Sequence, residues 1–144
     1  MKYLGVDYGD TRTGLATSDL SGTLASGIGQ VSCGGMRRTA EYVAAEVEKQ
    51  SIGAIVVGYP KNMDGSEGPR CEVVRAFCEL LREELEKNHE APPEIILFDE
   101  RLSTAAAHQI LNFTDTRGKK RKNVIDTLSA QIILQDYLDR AKRK

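Results

Sequence analysis

The 144-residue chain predicts an α/β fold: a five-stranded mixed sheet, made of a three-strand antiparallel meander plus two parallel strands, with helices on both faces in the order βββαβαβαα. Three observations carry that expectation. The N-terminal third alternates short strand-like runs with tight turn chemistry, at 9–11 and 19–22, too short for anything but antiparallel neighbours. From Met36 onward the apolar period changes to the helical one. A short, almost wholly apolar run, 53–58, and the run 94–99 through Ile95, Ile96, Leu97 and Phe98 then read as strands buried on both faces of a sheet.

Taken in order, residues 3–8, 13–18 and about 23–32 form the meander. Met36, Ala40, Val43, Ala44 and Val47 fall on one helical face, with Arg37, Arg38, Glu41, Glu46, Glu48 and Lys49 opposite. The strand at 53–58 feeds a polar loop, 59–69, that contains Pro60, Asn62, Asp64, Gly65, Ser66 and Gly68. A second helix, about 70–87, carries Val73, Val74, Phe77, Leu80, Leu81 and Leu85 as its stripe. After Pro92 and Pro93 the strand at 94–99 follows, then a helix capped by Ser103 or Thr104, a basic loop, and a last helix over about 124–142.

A chain of this length is expected to form a single domain spanning 1–144, with one sizeable core. It has no run of about eighteen apolar residues, and Met1-Lys2-Tyr3 leads straight into a strand rather than a signal segment, so a cytoplasmic protein without membrane contact is expected. Cys33, Cys71 and Cys78 are an odd set without ligand spacing, which argues against a disulfide framework or a zinc site. No coiled-coil heptad or sustained exposed apolar stripe is present, so a monomer or weak dimer is expected.

The net charge of −1 is unevenly spread: acids crowd 79–100, while Arg117, Lys119, Lys120, Arg121 and Lys122 make a cationic segment suited to phosphates. Right-handed βαβ crossovers would align the carboxyl ends of the strands at 3–8, 53–58 and 94–99 along one edge, where ligands bind in open α/β sheets. Asp7 with its Gly9-Asp10 turn, the polar loop after Gly58, and Asp99-Glu100 all fall there. Alternation lets only one of Asp99 and Glu100 share a face with Asp7, and periodicity alone leaves open which. Asp126 opens the last helix; complementing the helix dipole would explain it alone, but Ile125 and Leu128 set it against the core. Carboxylates at separate element ends, with no Ser/His or Cys/His pair, suit hard cations such as Mg²⁺ or Mn²⁺ and in-line displacement at phosphorus.

Residues 7–14 (Asp7-Tyr8-Gly9-Asp10-Thr11-Arg12-Thr13-Gly14), the loop 58–68 and the motif Asp99-Glu100-Arg101-Leu102-Ser103-Thr104 resemble, in order, the signatures of the YqgF family of the ribonuclease H-like fold, and 126–139 resembles its final helix. Phe98, where the family often has Trp, and Ser129, where it often has Ala, are departures that touch no acid. The family is described as pre-16S rRNA nucleases or Holliday-junction-resolvase-like proteins. The resemblance implies a metal-dependent endonuclease with Asp7, Glu100 and Asp126 as catalytic metal ligands, preferring Glu100 to Asp99, and it leaves Asp10 to the turn. It implies Arg12 against substrate phosphate, Asn62 and Gly65 beside the scissile strand, and Arg101 with Lys119, Lys120, Arg121 and Lys122 among the substrate-binding residues. Structured nucleic acid is the implied partner: the 5′ end of precursor 16S rRNA first, a four-way DNA junction second. Two rivals remain on the residues: a non-catalytic nucleic-acid or ribosome-assembly module, and an actin-like ATPase, which generally needs two domains to enclose its nucleotide.

Overall fold

The computed structural model describes residues 1–99 and 118–142, with side chains over 128–141 of the latter stretch. Its elements are β1 (Tyr3–Asp7), β2 (Thr13–Ser18), β3 (Ala25–Val31), α1 (Met36–Gln50), β4 (Ala54–Tyr59), α2 (Pro69–Asn88), β5 (Glu94–Asp99) and α3 (Gly118–Lys142). The helix expected after Ser103 lies outside the described residues. The strands form one sheet in the order β3-β2-β1-β4-β5. β1 pairs antiparallel with β2 and β2 with β3, whereas β4 lies parallel to both β1 and β5, so the mixed sheet has the expected composition.

Alternation along the central strands divides the core in two. Leu4 and Val6 of β1 and Ile55 and Val57 of β4 point to one face, where Val43 and Val47 of α1 and Phe77, Leu81 and Leu85 of α2 bury them. Val56 of β4 and Ala16 of β2 point to the other, against Ala130, Ile133, Leu134 and Leu138 of α3. Helices therefore cover both faces, and each buried Leu, Ile or Phe contributes about 1.5–3 kcal/mol of hydrophobic stabilisation. Among the described residues no helix is long and apolar enough to cross a membrane.

Two expectations need correction. The run at 94–99, expected to be buried on both faces, forms the edge strand β5, and none of its residues is buried, because only β4 flanks it in the sheet. The cationic segment Lys119, Lys120, Arg121 and Lys122 is not a loop: it forms the first turns of α3, which begins six residues before the predicted start at 124. Lys and Arg are good helix formers, and no Pro or Gly interrupts the run after Gly118, so nothing local stops the helix from extending through it. Asp126 accordingly lies more than two turns inside α3 rather than in its first turn, beyond the reach of the N-terminal dipole that would otherwise account for it.

Candidate active site

β1 sends Tyr3, Gly5 and Asp7 to the face that α3 covers. The Tyr3 ring meets Tyr137 edge-on with centroids 5.7 Å apart. A Cβ on Gly5 would lie 2.8 Å from the Cβ of Leu134 and 3.0 Å from the carbonyl oxygen of Ala130, so only glycine lets the helix rest on the strand here. The contacts step from Tyr137 to Leu134 and Ala130 as β1 advances from Tyr3 to Gly5, so the two elements run antiparallel. Two strand residues advance about 6.6 Å and one helical turn about 5.4 Å. The next step brings β1 to Asp7, half-buried at the strand's end, while α3 continues backward along the row Leu134, Ala130, Asp126.

Asp7 pairs across the sheet with Gly14. On its other side, one step beyond the Val6–Val57 pair, β4 reaches Gly58, which pairs with Phe98 of β5. A residue without a side chain therefore flanks Asp7 on each side. Gly58 was not singled out by sequence reasoning because it closes an apolar run and looks like ordinary strand punctuation. On β5, Ile96 and Phe98 pack with the α3-side cluster, and the Phe98 and Tyr137 rings lie nearly parallel at 6.2 Å. Ile95 packs with the opposite cluster, and Asp99 shares its phase and pairs with Tyr59. Asp99 thus lies on the face away from Asp7. Glu100, next in the alternation after Phe98, lies outside the described residues, as does Arg101.

The β1–β2 turn is built for close passage. Gly9 donates its N–H to Thr13 Oγ1 at 3.4 Å, and a Cβ on Gly9 would stand 2.3 Å from the carbonyl oxygen of Arg12. Arg12 follows the exposed Asp10 and Thr11 in this turn and is itself half-buried. Asp10 is engaged by Arg70 of α2, whose Nη1 donates to both carboxylate oxygens at 3.0 Å while Nη2 reaches the Tyr8 carbonyl at 3.5 Å. That pairing gives Asp10 the structural part expected of it, and Arg70, sixty residues away in sequence, carried no local signal of the contact.

The loop at 60–68 leaves β4 directly after this edge. Gly65, at φ 91°, donates its N–H to the Asn62 carbonyl at 2.9 Å, closing a turn. The Asn62 amide donates to Ser66 Oγ at 3.0 Å, so its side chain shapes the loop itself. At the loop's base the buried Tyr59 hydroxyl donates to Glu67 and accepts from Arg75 Nη1 at 2.6 Å, and Arg75 also pairs with Glu67. Burial first, then the Glu67 carboxylate, pushes the Tyr59 phenol up to about 12. Its hydroxyl therefore stays protonated at neutral pH. Glu67 is held below the usual carboxylate range, first by the Tyr59 hydroxyl and then by Arg75.

Among the described residues no group of three or more metal-ligating side chains gathers; of the three sequence-predicted acids, the side chains of Glu100 and Asp126 lie outside those described. The donor chemistry nevertheless fits a hard divalent ion. Asp7 offers carboxylate oxygen, the donor type such an ion takes.

The sheet order with α3 laid over β1 defines a class before it defines a family. Over its full length the chain superposes on RuvC of Thermus thermophilus, solved in complex with a Holliday junction substrate, with a TM-score of 0.62, 12% identity and 97% of that chain covered. It likewise matches the fowlpox virus resolvase at a TM-score of 0.52 and 9% identity, covering 98% of this chain and 99% of that one. The fold is that of the ribonuclease H-like resolvases. Residues 1–140 match the family described as RuvX: Holliday junction resolvase. The chain is 39% identical over 144 residues to a protein of Clostridium tetani named "Putative pre-16S rRNA nuclease", covering all of both chains, and 42% identical to a Clostridioides difficile protein of the same name, covering 96% of this chain and 94% of that one. The chain belongs to the RuvX family, a family of nucleases that hydrolyse phosphodiester bonds in nucleic acid.

Proposed function

We propose that the chain is an endonuclease that uses Mg²⁺ or Mn²⁺, held by Asp7, Glu100 and Asp126, to hydrolyse a phosphodiester bond at the 5′ end of precursor 16S rRNA in the cytoplasm. The observation that carries the reading is the shared face. Asp7 lies on the α3 side of the sheet, Asp99 shares the phase of Ile95 on the other side, and the helical row through Leu134 and Ala130 leads to Asp126; this supports Glu100 over Asp99 as the second acid. Bound divalent ions would lower the pKa of water and neutralise charge on the phosphate oxygens. The chain's own residues do the rest. Arg12, in the exposed turn after Asp7, meets the substrate phosphate, and the loop around Asn62 and Gly65 borders the strand being cut. Arg101 and the cations Lys119, Lys120, Arg121 and Lys122 hold the backbone without reading sequence. All three acids come from one chain, so a single domain acting as a monomer or weak dimer suffices.

The rRNA substrate follows the names of the full-length relatives. A four-way DNA junction is the second reading, favoured by the family's description and by the resolvase fold. The test is cleavage of a model precursor rRNA beside a four-way junction, wild type against Asp126→Asn. The account expects metal-dependent cleavage of the RNA, reduced by the substitution roughly a hundredfold or more. Preferential cutting of the junction would select the second reading. Binding of either substrate with no cleavage under any divalent ion would make the chain a non-catalytic module, and full activity of Asp126→Asn would remove that residue from the site.

A further inference from the structure

Met63 stands 90% exposed at the tip of the loop that leaves β4 beside Asp7. Single exposed apolar side chains are common on protein surfaces, so exposure alone says little. What sets Met63 apart is the scaffold beneath it. Asn62 N–H donates to the Ser66 carbonyl and Gly65 N–H to the Asn62 carbonyl, both at 2.9 Å. Asp64 Oδ1 accepts from Ser66 N–H at 2.9 Å and from Ser66 Oγ at 2.6 Å. Below this tip the Tyr59, Glu67 and Arg75 cluster pins the loop to α2. Arg70, at the start of α2, ties the loop's far end to the turn that follows Asp7 through Asp10. A long, flexible apolar side chain is thus raised on a braced support next to the edge that carries Asp7. Nucleic-acid-binding proteins use such side chains, Met among them, as wedges that enter between adjacent bases, unstack them and kink the strand. A support ordered in advance spares binding the cost of fixing the loop.

We propose that Met63 is a wedge that enters between two adjacent bases of the bound strand beside the scissile phosphodiester. The loop then favours nucleic acid already unpaired or bent at that step over uninterrupted duplex, because the unstacking it requires is smallest there. This rests on the nuclease reading above and goes beyond it by naming the feature of the substrate that is recognised.

The experiment uses the whole protein in EDTA, so that no cleavage occurs, with bulged and uninterrupted RNA duplexes carrying 2-aminopurine at the cut step. Anisotropy of an end label reports binding, and 2-aminopurine fluorescence, which rises on unstacking, reports the wedge. Wild type should bind the bulged RNA with a clear fluorescence rise. Met63→Ala should abolish the rise and weaken that binding about tenfold while leaving uninterrupted duplex unaffected, and Met63→Leu should restore both. An unchanged thermal midpoint for Met63→Ala shows that folding is not the cause. Binding with no rise, or a rise that survives Met63→Ala, overturns the wedge and leaves the nuclease reading standing. No binding of either RNA, in EDTA or with Ca²⁺ in place of Mg²⁺, overturns both.

Discussion

At the scale of single residues, the carboxylates of this chain divide by what surrounds them. Asp10 is committed to Arg70, and Asp19 to its own turn: Oδ1 accepts from the N–H groups of Thr23 at 2.7 Å and Leu24 at 3.2 Å, and Oδ2 from Ser21 Oγ at 2.9 Å. The Thr23 amide first, then Leu24, holds the Asp19 carboxyl below its usual range. A carboxylate depressed in the folded state contributes stability that is present above its unfolded pKa of about 4 and is lost as pH falls through the lower folded value. The β2–β3 turn should therefore stay closed down to about pH 4 and open below it. Exchange protection of the Thr23 and Leu24 amides, measured across that range, should fall with acid in wild type. In Asp19→Asn it should be flat. Asp7 stands in the sheet beside Gly14 and, one step on, Gly58, at the edge where the proposed site lies.

At the scale of elements, the pairing of α3 with β1 decides whether the acids can meet, and Gly5 is its narrowest point. Gly5→Ala places a methyl group against the Leu134 side chain and the Ala130 backbone, which has no freedom to yield. The substitution should cost about 1–3 kcal/mol of stability by urea unfolding, the usual penalty of overpacking. It should also lower cleavage by shifting Asp126 away from Asp7. An unchanged midpoint would mean that the helix does not rest on the strand as described. The elements themselves were largely legible in the sequence. The apolar run 94–99 coincides with β5, and the periodicity from Met36 marks the start of α1. The start of α3 was not, because a run of Lys and Arg shows no apolar period whether it is helix or loop. Nor did alternation alone choose between Asp99 and Glu100, since period two names two faces without saying which one meets Asp7. The face that Phe98 takes is shown by its contact with Tyr137, thirty-nine positions apart in sequence and joined only by the fold. The braces Arg70–Asp10 and Arg75–Tyr59 escaped for the same reason: each joins separate elements.

At the scale of the molecule, the sheet carries structure on one face and the candidate chemistry on the other. The α1 and α2 side holds the larger apolar cluster and anchors the loop at 60–68 through Tyr59. On the α3 side, glycines flank Asp7 at the carboxyl edge, and the cationic first turns of α3 lead into the same helix as Asp126. This arrangement suits an enzyme that must admit a bulky, highly charged strand to a small group of carboxylates. Its central claim is that Glu100, not Asp99, completes that group with Asp7 and Asp126. The most direct measurement is Mn²⁺ binding by isothermal titration to wild type, Glu100→Gln and Asp99→Asn, with thermal midpoints recorded beside it to confirm folding. The account predicts that Glu100→Gln loses Mn²⁺ binding and Asp99→Asn keeps it. Loss of binding in Asp99→Asn with retention in Glu100→Gln would contradict it.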